Sequence, residues 1–344
     1  MLLLKEQLIT FLCFPILTLT ISTIGCYFYP KLAFKCGAIA APNFRSLHSR
    51  MIPRGAGIVI VICVLLVLVV LSLIRAIDFY LYLPILIGGL LVSIVGFTDD
   101  CFELSARFRM FTQLLIAVWV CFWFANGVDL NIGFVFINIG LLKFPITIFL
   151  LVWFYNLFNF IDGSDGLAAS AVIYISMVFS VICFLEHQQM LLLLLALLCS
   201  ATLGFIIFNW PPAKIFLGDV GTSFCSYMIS VVAIISIWQE HFNIWVWLIA
   251  LGYYLSDTTF TTLVRVIKFP KTWYHPHRSH AYQNLARIGG HLKILLLVWA
   301  FNLLWFLPLA VLAYIFPKQS ALFFIIAYVG VFPFLLKYGP LCKD

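Results

Sequence analysis

The chain is 344 residues long, 64% hydrophobic and only 10% charged, with a mean hydropathy of +1.12 and a formal charge of +7. Soluble domains carry about 25% charged residues, so this composition excludes a soluble globular protein and a disordered one. Long unbroken apolar runs also argue against an outer-membrane barrel, whose strands alternate apolar and polar residues.

A helical membrane protein remains. Eleven apolar runs lie near the roughly 20-residue length that crosses a bilayer. They predict helices at 8–29, 57–74, 79–98, 109–126, 143–160, 167–185, 190–208, 218–238, 243–265, 293–316 and 320–337. The first is read as an uncleaved span, being too long for a signal h-region and lacking a cleavage site after it. Residues 127–142 alternate weakly and predict a small hairpin.

Lys and Arg set orientation, because they concentrate in cytoplasmic loops. With the N-terminus outside, the inner segments are 30–56, 99–108, 161–166, 209–217, 266–292 and the C-terminal tail. Of the 20 Lys and Arg, all but Lys5, Arg75, Lys143 and Lys318 then lie inside. The expected topology is N-terminus periplasmic and C-terminus cytoplasmic. The positive inner face suits anionic lipid or nucleotide phosphates. Without a soluble module, no nucleic-acid partner is expected. The ten cysteines are scattered and form no C-x-x-C pair, so neither a disulfide framework nor a thiolate metal site is expected. No linker or repeat divides the chain, which reads as one domain over 1–344.

Chemistry-bearing residues crowd the inner segments, which hold five of the seven histidines. A transporter would place ionisable groups near the bilayer midplane; here they gather at one face, which favours an enzyme of the membrane interface. Five clusters stand out. Asp99-Asp100 ends the third run, where paired carboxylates repel each other and oppose the helix dipole. That local cost favours a metal or catalytic role over a solvated helix end. In Asn156-Leu-Phe-Asn159-Phe-Ile-Asp162-Gly-Ser-Asp165-Gly166, polar residues recur every three positions, within contact reach along a helix. They form an oxygen-rich strip suited to Mg²⁺ and a polar ligand. A capped helix–loop–helix would explain Asp165 but not so many polar groups on a membrane helix. In Pro211-Pro-Ala-Lys214-Ile-Phe-Leu-Gly218-Asp219-Val-Gly221-Thr222, Asp219 opens a helix, as a simple cap or as part of a metal or phosphate site. The fourth cluster, Tyr274-His275-Pro-His277-Arg278-Ser-His280-Ala-Tyr282-Gln283, can grip phosphate by charge-assisted hydrogen bonds or be a solvated basic loop. The fifth, Pro42-Asn43-Phe-Arg45-Ser-Leu-His48-Ser-Arg50-Met-Ile-Pro53-Arg54-Gly55, is a topology signal or a phosphate contact.

Together the clusters resemble the polyprenyl-phosphate N-acetylhexosamine-1-phosphate transferase superfamily (glycosyltransferase family 4). The resemblance covers residues 42–290, with the clusters in family order. Its most specific motifs are N-x-x-N-x-x-D-G-x-D-G-L-A at 156–168 and P-A-K-x-F-x-G-D-x-G at 212–221. The late H-R-S-H-A-Y-Q and the early R-S-L-H-S-R-x-x-P-R-G-A-G look like the bacterial subgroup that initiates O-antigen or related surface glycans. They look less like the muramoyl-pentapeptide branch, which carries a triple histidine in the late loop.

The resemblance implies an enzyme of the bacterial inner membrane, with its active site at the cytoplasmic face. It would transfer an N-acetylamino-sugar 1-phosphate from a UDP-sugar to undecaprenyl phosphate, releasing UMP. Mg²⁺ is the implied cofactor, with Mn²⁺ able to substitute, and homodimerisation is left open. Catalytic roles are implied for Asp99, Asp100 and Asp162, and metal binding for Asp219 with Asp99 or Asp100. Substrate contacts are implied for Asn156, Asn159, Asp165, Lys214, His277, Arg278, His280, Arg45 and Arg54. A double-displacement route through an aspartyl-phosphate stays open. Two other readings compete. The CDP-alcohol phosphotransferase motif D-x-x-D-G-x-x-A-R matches Asp162 to Ala169 but fails at Ser170. A lipid or ion transporter would need mid-bilayer charges that these runs nearly lack.

Overall fold

The computed structural model describes residues 2–41, 50–74, 79–102, 104–124, 130–131, 136–137, 140–238, 243–272 and 277–341. The chain is an all-helical, multi-pass membrane bundle. In order, the helices are α1 (Leu2–Cys36), α2 (Gly57–Leu73), α3 (Phe79–Phe102), α4 (Ala106–Phe124), α5 (Lys143–Ile161), α6 (Leu167–Leu185) and α7 (Gln189–Asn209). They continue with α8 (Gly218–Trp238), α9 (Ile244–Ala250), α10 (Gly252–Lys268), α11 (Ala281–Phe301), α12 (Leu307–Ile315) and α13 (Ser320–Tyr338).

Each of the eleven predicted runs is helical, but two differ in form. The run at 243–265 breaks at Leu251 into α9 and α10. A separate helical segment from Ala281 ends at a break at Gly290 (φ +80°), and the helix expected at 293–316 follows it and passes through a π-helical turn at Asn302–Phe306 before α12. Nine helical stretches among the described residues are long and apolar enough to cross a membrane; α2, with 17 residues, is a shorter apolar helix. The weak alternation after α4 does form a hairpin, β3 (Leu130–Asn131) pairing antiparallel with β4 (Phe136–Ile137). Before α2, β1 (Ile39–Ala40) pairs with β2 (Ile52–Pro53). The nine described cysteines are all free thiols.

Side-chain size sorts the helices into centre and rim. Helix α8 is the most enclosed and α1 the least. Small residues on α8 let its neighbours approach, the usual solution where lipid offers no hydrophobic drive to pack. A Cβ on Gly96 of α3 would strike the Asp219 carbonyl at 2.6 Å, and one on Gly57 of α2 would strike the Gly221 backbone. The rim carries apolar side chains such as Phe28, Leu304 and Val329, which suit lipid tails.

One end of this bundle is tied together by loops. β2 runs beside the segment before α8: Phe216 N–H donates to Pro53 O (2.8 Å), and Ala56 N–H donates to Phe216 O (3.0 Å). The turn between α5 and α6 docks on the same segment. Asn209 accepts from Gly166 N–H (3.0 Å) and donates to Ile215 O (2.8 Å), while Ala213 N–H donates to Asp165 (3.0 Å). Residues far apart in sequence therefore meet at one membrane face.

Candidate active site

The adjacent carboxylates Asp99 and Asp100 diverge, as successive residues on a helix must. Asp100 turns to the start of α8. It accepts the Asp219 N–H (2.9 Å) and the Val220 N–H (3.0 Å), two of the donors a helix N-terminus leaves open. Gly218 makes that approach feasible: its φ is +75°, and a Cβ there would meet the Gly55 backbone at 2.7 Å. Asp100 also pairs with Arg54 Nε at 2.8 Å. Asp99 turns instead to α4, where it accepts from Arg109 (3.0 Å) and from Leu104 N–H (2.7 Å).

Asp219 is the hub. Arg54 donates to one of its oxygens and the Asn159 amide to the other. Arg54 thus bridges Asp100 and Asp219, with its backbone carbonyl held by the Tyr29 hydroxyl at 2.5 Å. Burial works against the Arg54 charge, but Asp219 and Asp100 outweigh it and hold the guanidinium protonated. Asp162 caps the end of α5 beside them. Burial, then the charges of Asp219 and Asp100, push its carboxyl well above the usual carboxylate range, with Arg54 pulling the other way. A cluster of carboxylates with one bridging arginine is short of positive charge.

Two cavities open from this hub and share Asp219 and Asn159. The larger, about 1100 Å³, has Arg54, Asp162, Asp165, Arg278, Arg287 and His291 in its wall. His291 Nδ1 accepts the Asp165 N–H (3.1 Å) and meets Ser164 Oγ at 2.9 Å, which places its ring proton on Nε2. The smaller lies between α3, α4, α5 and α8. Asp99, Arg109 and Gln113 line it near the hub, and Val92 and Ile116 line it deeper in the bundle.

Of the predicted site residues, the structure gathers Asp99, Asp100, Asn159, Asp162, Asp165, Asp219, Arg54 and Arg278 around these cavities. Asn156 lines neither cavity, but it donates to Gln113 (2.8 Å), which lines the smaller one. Lys214 is exposed and lines neither cavity. His277 and His280 also stand outside the cavity walls. His280 is 3% exposed, stacked between His277 and Tyr282, and 3.6 Å from Asp257. Burial and the neighbouring His280 and Arg265 lower the His277 pKa from 6.5 to about 3, so its ring stays neutral. Arg45 lies outside the described residues.

Four functional candidates escaped the sequence reading: Arg109, Arg287, His291 and Asp257. Gln283 and Arg287 lie one turn apart on the helical segment before a break at Gly290, and His291 directly follows that break; reading 266–292 as loop hid all three. Asp257 is a lone acid in an apolar run. It accepts the Ala281 N–H (2.9 Å) and Tyr282 N–H (3.2 Å), so it anchors the start of α11.

The donor set fits Mg²⁺. Among the described residues, no three His, Cys, Asp or Glu side chains group so as to hold an ion unaided. Mg²⁺, however, commonly takes only one or two carboxylates and completes its shell with water and substrate phosphate. Asp219, with Asp162 and Asn159 beside it, offers hard oxygen donors in a cluster rich in negative charge.

The glycosyl transferase family 4 model matches residues 82–237, a span that includes Asp99 and Asp219 but neither Arg54 nor α11. A probable undecaprenyl-phosphate N-acetylglucosaminyl 1-phosphate transferase of Bacillus subtilis is 30% identical over 75% of this chain and 72% of its own. A phospho-N-acetylmuramoyl-pentapeptide-transferase of Streptococcus suis is 32% identical over 60% of this chain and 66% of its own. One of the same description from Lactococcus lactis is 30% identical over 64% and 68%. The chain belongs to glycosyl transferase family 4, within the polyprenyl-phosphate N-acetylhexosamine-1-phosphate transferase superfamily.

Proposed function

We propose that the protein transfers an N-acetylamino-sugar 1-phosphate from a UDP-sugar to undecaprenyl phosphate, at the cytoplasmic face of a bacterial inner membrane. The observation that carries this reading is the meeting of two unlike cavities at Asp219 and Asn159. The larger suits the donor. Arg54, Arg278 and Arg287 supply charge for a diphosphate, and His291 Nε2–H and Gln283 supply hydrogen bonds. The smaller suits the acceptor phosphate, with one cation, Arg109, near the hub and apolar walls deeper in the membrane.

In this arrangement an oxygen of the lipid phosphate attacks the β-phosphorus of the UDP-sugar. The bond from that phosphorus to the bridging oxygen breaks, and UMP leaves with that oxygen. The residues chiefly position two anions that repel each other. A phosphate monoester has its second pKa near about 6 and is mostly dianionic already; Asp99, oriented by Arg109, takes the residual proton. Asp100 spends its oxygens on the α8 N-terminus and Arg54, which suits a positioning role better than a nucleophilic one. Asp219, with Asp162 and Asn159, would hold Mg²⁺, which shields the diphosphate and stabilises the leaving group when bound.

The name of the Bacillus subtilis relative makes UDP-N-acetylglucosamine the first donor to test. The loop resemblance adds other UDP-N-acetylamino sugars, and an initiating role in O-antigen or a related surface glycan. The test is UMP release by purified protein in detergent, with undecaprenyl phosphate, each donor, and Mg²⁺ or EDTA. The reading expects release that needs lipid phosphate, one donor and the metal together. Release without lipid phosphate, or none with any donor from folded protein, would overturn it.

A further inference from the structure

Gln113 lies on α4 one turn after Arg109, so the two side chains share a helix face. Both line the smaller cavity and neither lines the larger. Asn156, on α5, lines neither. Its Nδ2 donates to the Val152 carbonyl (2.8 Å) and to Gln113 Oε1 (2.8 Å). A backbone carbonyl only accepts, so the Asn156 atom on Val152 is the nitrogen. An amide nitrogen only donates, so the Gln113 atom that meets it is the oxygen. The two bonds together fix which way round the Gln113 amide sits, and its Nε2 keeps both protons. Among the described residues Nε2 has no hydrogen-bond partner, yet it is not sealed inside the protein. Two neighbours in the same wall are already engaged: Thr112 donates to the Arg109 carbonyl (2.8 Å), and Asn159 donates to Asp219. A free amide donor on a membrane helix is costly unless a polar group meets it.

We infer that Gln113 is an acceptor-binding residue whose Nε2 donates to an oxygen of the phosphate monoester in the smaller cavity, and that Asn156 is the positioning residue that holds it so. The inference rests on the transferase reading above and adds a specific contact to it. A dianionic phosphate offers only acceptors, and the locked amide offers it only donors. Asn156 acts through Gln113 and does not itself touch the substrate. Because neither residue belongs to the wall of the larger cavity, the contact is to the acceptor phosphate and not to the donor diphosphate.

The test pairs Gln113→Glu with Gln113→Met. Gln113→Glu keeps the side-chain length and an oxygen for Asn156, and replaces the donor by a second oxygen. Gln113→Met keeps the bulk and removes both. Direct binding of undecaprenyl phosphate, and KM for each substrate, are compared with the unaltered protein. Both variants raise Kd and KM for undecaprenyl phosphate by about tenfold or more, the loss of one hydrogen bond to a charged group. KM for the UDP-sugar stays unchanged. Asn156→Leu raises the same two constants by less, and it adds nothing in the Gln113→Met background, because residues acting through one contact are not additive. A merely structural Asn156 would add its loss in either background. Unaltered acceptor binding in both Gln113 variants, a rise in UDP-sugar KM instead, or an Asn156→Leu loss that persists in Gln113→Met overturns the inference while the transferase reading stands. Failure of the unaltered protein to bind undecaprenyl phosphate overturns both.

Discussion

The two cavities are built from the same hub and differ in everything else. The larger is walled by arginines and by His291, delivered by the segment after β2, the α5–α6 turn, and α11 with the residues just before it. The smaller has one arginine and grades into valine and isoleucine between α3 and α4. The contrast matches the two reactants: a hydrophilic molecule with two phosphates, and one phosphate on an apolar tail. Asp219 and Asn159 belong to both walls, so in the proposed reaction the two substrates would meet where those side chains stand.

Predictions that break or sharpen this contrast run from the shared wall outwards. Asp219→Ala removes the residue common to both cavities and should lower turnover about a hundred- to a thousandfold with either substrate saturating. Steady-state UMP release measures this; a change confined to one KM would mean the cavities do not share a reaction centre. Asp100→Ala should act mainly through folding. It strips the α8 cap and leaves Arg54 without one partner, at a cost of about 2 kcal/mol in detergent unfolding. Asp100→Asn, which keeps an acceptor, should lose less.

His277 gives the smallest effect, and it should spare catalysis near neutral pH. Its folded pKa is lowered to about 3 from 6.5, so the unfolded chain binds a proton there before the folded one does. Its contribution is complete above pH 6.5 and is lost as pH falls towards 3. His277→Gln should flatten that part of the thermal midpoint against pH. An unchanged slope would show that the ring titrates alike in both states.

Much of this was legible in the sequence. Hydrophobic run length located the apolar helices but not the polar segment from Ala281 to Gly290, because a membrane helix must satisfy its own backbone and be apolar throughout. Motif spacing found Asn159, Asp162 and Asp219. What sequence could not supply was direction. Asp99 and Asp100 look equivalent until α8 is placed against α3. Arg109 reads as one more inside-positive charge until it is seen paired with Asp99. His291 was hidden because the short helical segment before the Gly290 break carries Gln283 and Arg287 and resembles a polar loop; Asp257 holding the Ala281 and Tyr282 N–H groups, with Gln283 folding back on His280, starts that segment.

The most direct test of the central claim, two cavities serving two substrates, is a crossed pair of kinetic measurements. Arg109→Ala and Arg287→Ala are each assayed for KM towards undecaprenyl phosphate and towards the UDP-sugar. The account predicts that Arg109→Ala raises only the lipid-phosphate KM and Arg287→Ala only the UDP-sugar KM, each by about tenfold or more. Both substitutions raising the same KM, or each raising the other's, would contradict it.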